Sequence, residues 1–216
     1  MPPDILDQLI PLADAHQAAD EYAAGHYDWR GNACAIGCTI RDAIQIGVLP
    51  ENTDSADHAA LAEHTPVPEW AWYLLDRIFE GLPGDRRIAW PPAFLRAAQS
   101  CEDWPLVLAG FLWRIMDRIG GEHAERSRDL WARVLDGESA ASLRDEFASV
   151  GWTPWATSVA GAASTASDAW SAWSAWSASA VSDARAARDA WSAEYTRQRD
   201  DLLACMAGEY RPAESL

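Results

Sequence analysis

Lysine is missing from this chain: all 17 basic residues among 216 are arginine. That absence excludes Schiff-base chemistry on a lysine and the lysine-dependent phosphate loop. No run of 18 apolar residues occurs, so no segment is expected to cross a bilayer as a helix. The opening MPPDILDQL lacks a basic stretch followed by an apolar one, so no secretory signal is expected. A bacterial cytoplasm is the expected location. Cys34, Cys38, Cys101 and Cys205 are too few and too scattered for a secreted disulfide scaffold, which predicts free thiols. Strict two-residue alternation is absent, so strands are not expected. The patterns G-x-S-x-G, G-x-G-x-x-G and H-E-x-x-H are absent as well.

What the chain does have is acid, alanine and tryptophan. Asp and Glu number 33, and the net charge is −16. Residues 1–64 carry eleven acids against Arg30 and Arg41, a balance of −9; from Trp152 onward eight acids face five arginines, a balance of −3. Such a surface repels nucleic acid and anionic lipid, so neither direct nucleic-acid binding nor membrane attachment is expected. It serves solubility, or it imitates nucleic acid toward a basic partner.

The periodicity predicts an all-α fold of about eight helices: a globular, acidic body over 1–151, one long helix over 152–208, and a disordered end over 209–216. Residues 4–24 read as a first helix closed by Gly25, with Pro11 dividing or kinking it. Asn32 is the expected cap of a second, over ACAIGCTIRDAIQIGVL. DHAALAEH is a short helical piece, and EWAWYLLDRIFEGLPG holds a stronger one stopped by Gly81-Leu82-Pro83-Gly84. Further helices are expected from Pro92, from Asp103-Trp104-Pro105 to Gly120-Gly121, over Glu122–Leu135 and over Ser139–Val150. In the tail, Thr153 and Pro154 signal a start and Gly208 a stop. Trp155, Trp173 and Trp191 recur every 18 residues, five full turns, and Tyr195, Leu202 and Met206 fall near the same line. A straight rod of that length overshoots the body, which predicts a homodimer through the tail or a tail folded back.

The segments CAIGC (34–38), DRIFEGLP (76–83) and AWPPAFLRAA (89–98), with an Ala-rich tail bearing Trp and Arg, resemble a family of uncharacterised proteins from bacteriophages and GC-rich bacteria. The likeness covers about residues 30–110 by motif and the tail by composition. It implies a phage-type accessory protein and assigns neither an activity nor catalytic residues.

Cys34 and Cys38 are four apart on one expected helix. With His58 and His64 they spell C-x3-C-x19-H-x5-H, within reach of a tetrahedral zinc site. Neither spacing is the usual one, and the apolar neighbours Ala35, Ile36 and Ile40 favour buried, metal-free thiols. Asp54, Asp57, His58, Glu63 and His64 crowd one segment and read first as a polar loop. Arg86 and Arg87 could hold a phosphate or form salt bridges. Trp170, Trp173, Trp176, Trp191 and Tyr195 are the candidate partner- or ligand-binding surface. The first expectation is a non-enzymatic accessory protein, without cofactor, that binds a protein partner, with counter-defence as the candidate process. The alternatives are a protein that sequesters a nucleotide-like molecule in a Trp-lined pocket, and a metal-dependent hydrolase built on Cys34, Cys38, His58 and His64.

Overall fold

The computed structural model describes residues 5–25, 33–150 and 184–211, the side chains of 184–189 excepted. The described residues are all-α: ten helices and no strand, with one isolated β-bridge between Tyr22 and Ala33. No described helix is long and apolar enough to cross a membrane. The chain divides into two compact units, Met1–Ser100 and Cys101–Leu216.

The first unit holds α1 (Ile5–Ala19), α2 (Ala35–Gln45), α3 (His58–His64), α4 (Glu69–Gly81), α5 (Gly84–Ile88) and α6 (Trp90–Gln99). Its centre is α4, which packs on α2, α3, α5 and α6. Trp70, Trp72, Leu74, Leu75, Ile78 and Phe79 of α4 are all buried. Each such side chain stabilises by roughly 1.5–3 kcal/mol when fully withdrawn from water. Trp72 and Trp90 both lean on Phe94, at ring distances of 5.6 and 5.5 Å, and Trp90 Nε1 donates to the Leu75 carbonyl at 3.0 Å. That bond satisfies the indole N–H inside the core.

Several boundaries differ from the expectation, each for a local reason. Helix α1 stops at Ala19, because Asp20 turns to φ 54° and the Glu21 amide bonds back to the His16 carbonyl. Pro11 stays inside α1 and does not divide it. The cap of α2 is Cys34, whose Sγ accepts from the Gly37 amide at 3.5 Å; Asn32 lies outside the described residues. The helix cannot begin earlier, since Ala33 is engaged by its amide to Glu21 and by its carbonyl to Ala23. Helix α5 was not expected; it restarts the chain after Pro83, with Arg87 Nε donating to the Leu82 carbonyl. Helix α6 begins at Trp90, so that Pro91 and Pro92 both occupy its first turn, where a missing N–H costs little.

The second unit holds α7 (Trp104–Ile119), α8 (Glu122–Leu135), α9 (Arg144–Ser149) and α10 (Ala184–Met206). Asp103 caps α7 through the Leu106 amide at 3.0 Å. Gly120 and Gly121, at φ 65° and 85°, turn the chain into α8, which lies along α7. Helix α9 is shorter than expected because 139–143 form turns, with the Ser142 amide bonded to the Ser139 carbonyl. Helix α10 packs on α7, burying Tyr195, Leu202, Cys205 and Met206. Tyr195, Leu202 and Met206 of the apolar stripe are therefore covered within their own unit, while Trp191 is half-buried; residues 151–183 lie outside the described residues. Residues 209–211, expected as a loose end, are tied down. Arg114 donates to the Glu209 carbonyl at 2.6 Å, and Arg211 to the Ala132 carbonyl at 2.7 Å.

Candidate functional site

The first unit contains a cavity of about 400 Å³ walled by Cys34, His58, Tyr73, Asp76, Arg77 and Glu80, with Gly25 at its edge. Three structural facts assemble it. The Tyr22–Ala33 bridge, with the Ala23 amide 2.9 Å from the Ala33 carbonyl, brings the two ends of segment 24–32 together. It thereby sets Cys34, at the start of α2, beside α4. The Asp57 carboxylate, capping the Ala60 amide at 2.9 Å, starts α3 with His58 inward. On α4, Asp76 and Glu80 are four residues apart and so share one face. The core residues of α4 occupy the remainder of its circumference.

The donor geometry is compact. Cys34 Sγ and one carboxylate oxygen each from Asp76 and Glu80 lie within 4.8 Å of one another. Both oxygens of Glu80 accept from the Gly25 amide, at 3.0 and 2.8 Å. His58 Nδ1 is 2.8 Å from the Ala56 carbonyl, which can only accept, so Nδ1 carries the proton. His58 Nε2 then faces Asp76 Oδ2 at 3.8 Å. The imidazole lies flat on the Tyr73 ring, with centroids 4.1 Å apart and planes 14° from parallel. Tyr73 is itself exposed, the large hydrophobic side chain of α4 that faces solvent. Burial, and after it the neighbouring Asp76 carboxylate, push the Cys34 thiol far above its ordinary range. As a free side chain Cys34 is therefore a neutral thiol, not a ready nucleophile.

Thiolate, imidazole and carboxylate together are the donor types zinc takes. Bonds of 2.0–2.3 Å place tetrahedral ligands about 3.5 Å apart. Donors within 4.8 Å need only side-chain rotation to close on an ion. An Nδ1–H bound to a backbone carbonyl is also how a ligating or metal-adjacent histidine is held in orientation.

The sequence placed two of these residues, Cys34 and His58, in a candidate metal set, and the structure brings both to the cavity. The other two are elsewhere. Cys38 Sγ donates to the Ala33 carbonyl at 3.6 Å and accepts from Arg41 at 3.7 Å. Its thiol is pushed up to about 12, chiefly by burial. His64 is exposed at the end of α3, bonded to the Ala60 carbonyl. Asp76 and Glu80 were missed, although D-x3-E inside a helical pattern is a legible sign of two acids on one face. Of the acid–base cluster, Asp54 accepts from the Ala56 amide in a turn, Asp57 caps α3 through the Ala60 amide, and Glu63 is exposed. Arg86 is exposed on α5, while Arg87 lies over the Phe79 ring at 5.9 Å. Trp191 is half-buried and stacked on Tyr195 at 6.1 Å. Trp170, Trp173 and Trp176 lie outside the described residues. All four cysteines are unbridged.

Comparison with family models, with curated proteins and with solved structures finds no match to this chain. The cavity must be read from its own chemistry.

Proposed function

We propose that the first unit binds one zinc-class divalent ion through Cys34, Asp76 and Glu80 and uses it for hydrolysis in the adjoining cavity. The observation that carries this reading is the convergence of three donors at the wall of a space large enough for a small substrate. Three protein ligands leave a tetrahedral ion one open position, and that is the arrangement of a catalytic rather than a structural site. The ion would polarise a substrate oxygen and make bound water acidic near neutral pH. His58, with its proton on Nδ1, turns Nε2 toward the carboxylate wall 3.8 Å from Asp76 and offers it to a proton released in the cavity. Tyr73 holds the imidazole plane.

A thiol nucleophile is the competing chemistry, and the upward shift of Cys34 disfavours it. We also place the metal reading ahead of the protein-partner reading, since Trp170, Trp173 and Trp176, on which that one leans, lie outside the described residues. The resemblance to uncharacterised phage proteins supplies no chemistry to either side.

The test is metal content and cobalt substitution. Purified protein dialysed against a weak chelator should retain about one equivalent of zinc. The cobalt form should show a thiolate-to-cobalt charge-transfer absorption. Cys34→Ser should abolish that absorption, and Cys38→Ser should leave it intact. No retained metal, or an unchanged spectrum in Cys34→Ser, overturns the reading.

A further inference from the structure

Arginine is the only cationic side chain other than histidine in this chain, and acids outnumber it 33 to 17. An arginine in such a protein has an acid within reach almost everywhere, and most of the described ones use it. Arg96 pairs with Asp14, Arg128 with Asp117, Arg133 with Glu138 and Glu146. Arg77 lies one residue after Asp76 and three before Glu80, a helical spacing at which an ion pair is ordinarily favourable. It nevertheless makes no ion pair or hydrogen bond with any described residue, and it lines the cavity. Glu80 is committed to the Gly25 amide, and Asp76 is turned inward, with Oδ2 3.8 Å from His58 Nε2. The cavity therefore presents a guanidinium whose five donors are available, beside three donors that would hold a cation.

We propose that Arg77 is the substrate-recognising residue of this site and selects a substrate bearing an oxyanion next to the hydrolysed bond, a phosphate ester before a carboxylate. This rests on the metal reading of the same cavity. The physical reason is charge. A net charge of −16 repels anions at a distance, so an anion is held here only where directed cationic donors offset the local acids. Three anionic donors spent on a divalent ion leave the site with one negative charge in excess, and Arg77 cancels it. A planar fork meets two oxygens of one phosphate while a third oxygen reaches the ion. A carboxylate has only two oxygens and cannot satisfy both centres as fully.

The experiment titrates inorganic phosphate, and separately acetate, into the cobalt-loaded full chain and follows the visible cobalt spectrum. Phosphate should perturb the spectrum at lower concentration than acetate. Arg77→Gln, an exposed substitution, should weaken phosphate about 10- to 100-fold, as expected for a lost charge-assisted pair. Its cobalt affinity should stay within about twofold of the parent, since Arg77 is no ligand. Cobalt uptake with no response to phosphate, or equal phosphate affinity in Arg77→Gln, overturns this inference and leaves the metal site standing. Acetate binding as tightly as phosphate overturns the preference for phosphate esters. A chain that takes up no cobalt overturns both readings at once.

Discussion

His16 shows how much one side chain can tie together. Its Nδ1 is 2.6 Å from Glu21 and its Nε2 is 2.9 Å from Asp42, which joins α1 to α2. The imidazole pKa is raised, first by the bond with Asp42, against burial, and with help from Glu21; Arg41 opposes. A raised folded value means the charged bridge stabilises fully below the ordinary histidine value of about 6.5. That contribution fades as pH climbs through the folded value. Urea unfolding should therefore show the first unit more stable at about pH 6 than at about pH 8.5. His16→Gln should flatten that difference; a slope that survives the substitution would assign it to other groups. At the same scale the sequence was only half legible at the cavity. Cys34 and His58 announced themselves by type. Cys38 and His64 were grouped with them by spacing alone. Spacing does not reveal that Cys34 is the cap and Cys38 sits one turn on, directed back at Ala33.

Helices were the most readable objects in the chain because their apolar periods are long and their punctuation strong. Asp103-Trp104-Pro105 and Gly120-Gly121 bracket α7 as expected, since cap, proline and positive-φ glycine are local chemistry. Helix α1 was overextended because the turn that ends it, at Asp20 with φ 54°, leads into the Tyr22–Ala33 bridge, a pairing that lies outside the helix's own period. The α7–α10 contact is likewise non-local. Gly110 on α7 lets α10 and the following chain come close. A Cβ there would lie 3.1 Å from Cys205 Sγ and 3.1 Å from the Tyr210 backbone. Beside it, Arg114 pairs with Asp201 at 3.2 Å and Arg118 with Glu194 at 3.1 Å. Gly110→Val should overpack this seam and cost about 1–3 kcal/mol in chemical denaturation. Gly110→Val unfolding at the parent midpoint would show that α10 does not press on α7.

With two compact units, each with its own core, the whole molecule is expected to melt in two transitions. The proposed ion belongs entirely to Met1–Ser100. An ion at about 100 times its dissociation constant adds about 2.7 kcal/mol to that unit alone. In calorimetry the corresponding midpoint should rise by about 10 °C or more, and the other should stay in place. A rise in both, or in the one lost on truncating Leu202 to Ala, would put the ion in the wrong half of the chain. Over α10 the apolar stripe behind the expected dimer is covered at Tyr195, Leu202 and Met206 and half-buried at Trp191.

Helix α4 has a further consequence, for heredity rather than energy. Trp70, Ala71, Trp72, Leu74, Leu75, Ile78 and Phe79 are held in place by burial, and Tyr73, Asp76, Arg77 and Glu80 by the cavity. Of its 13 residues only Glu69 and Gly81, at the ends, escape both demands. A lineage can rewrite its caps, turns and outer faces, but to rewrite this segment is to lose the fold or the proposed site. Descendants that keep the proposed metal site should therefore be recognisable by W-A-W-Y-L-L-D-R-I-F-E long after the rest has diverged, and those that lose it should change at Asp76, Arg77 and Glu80 first.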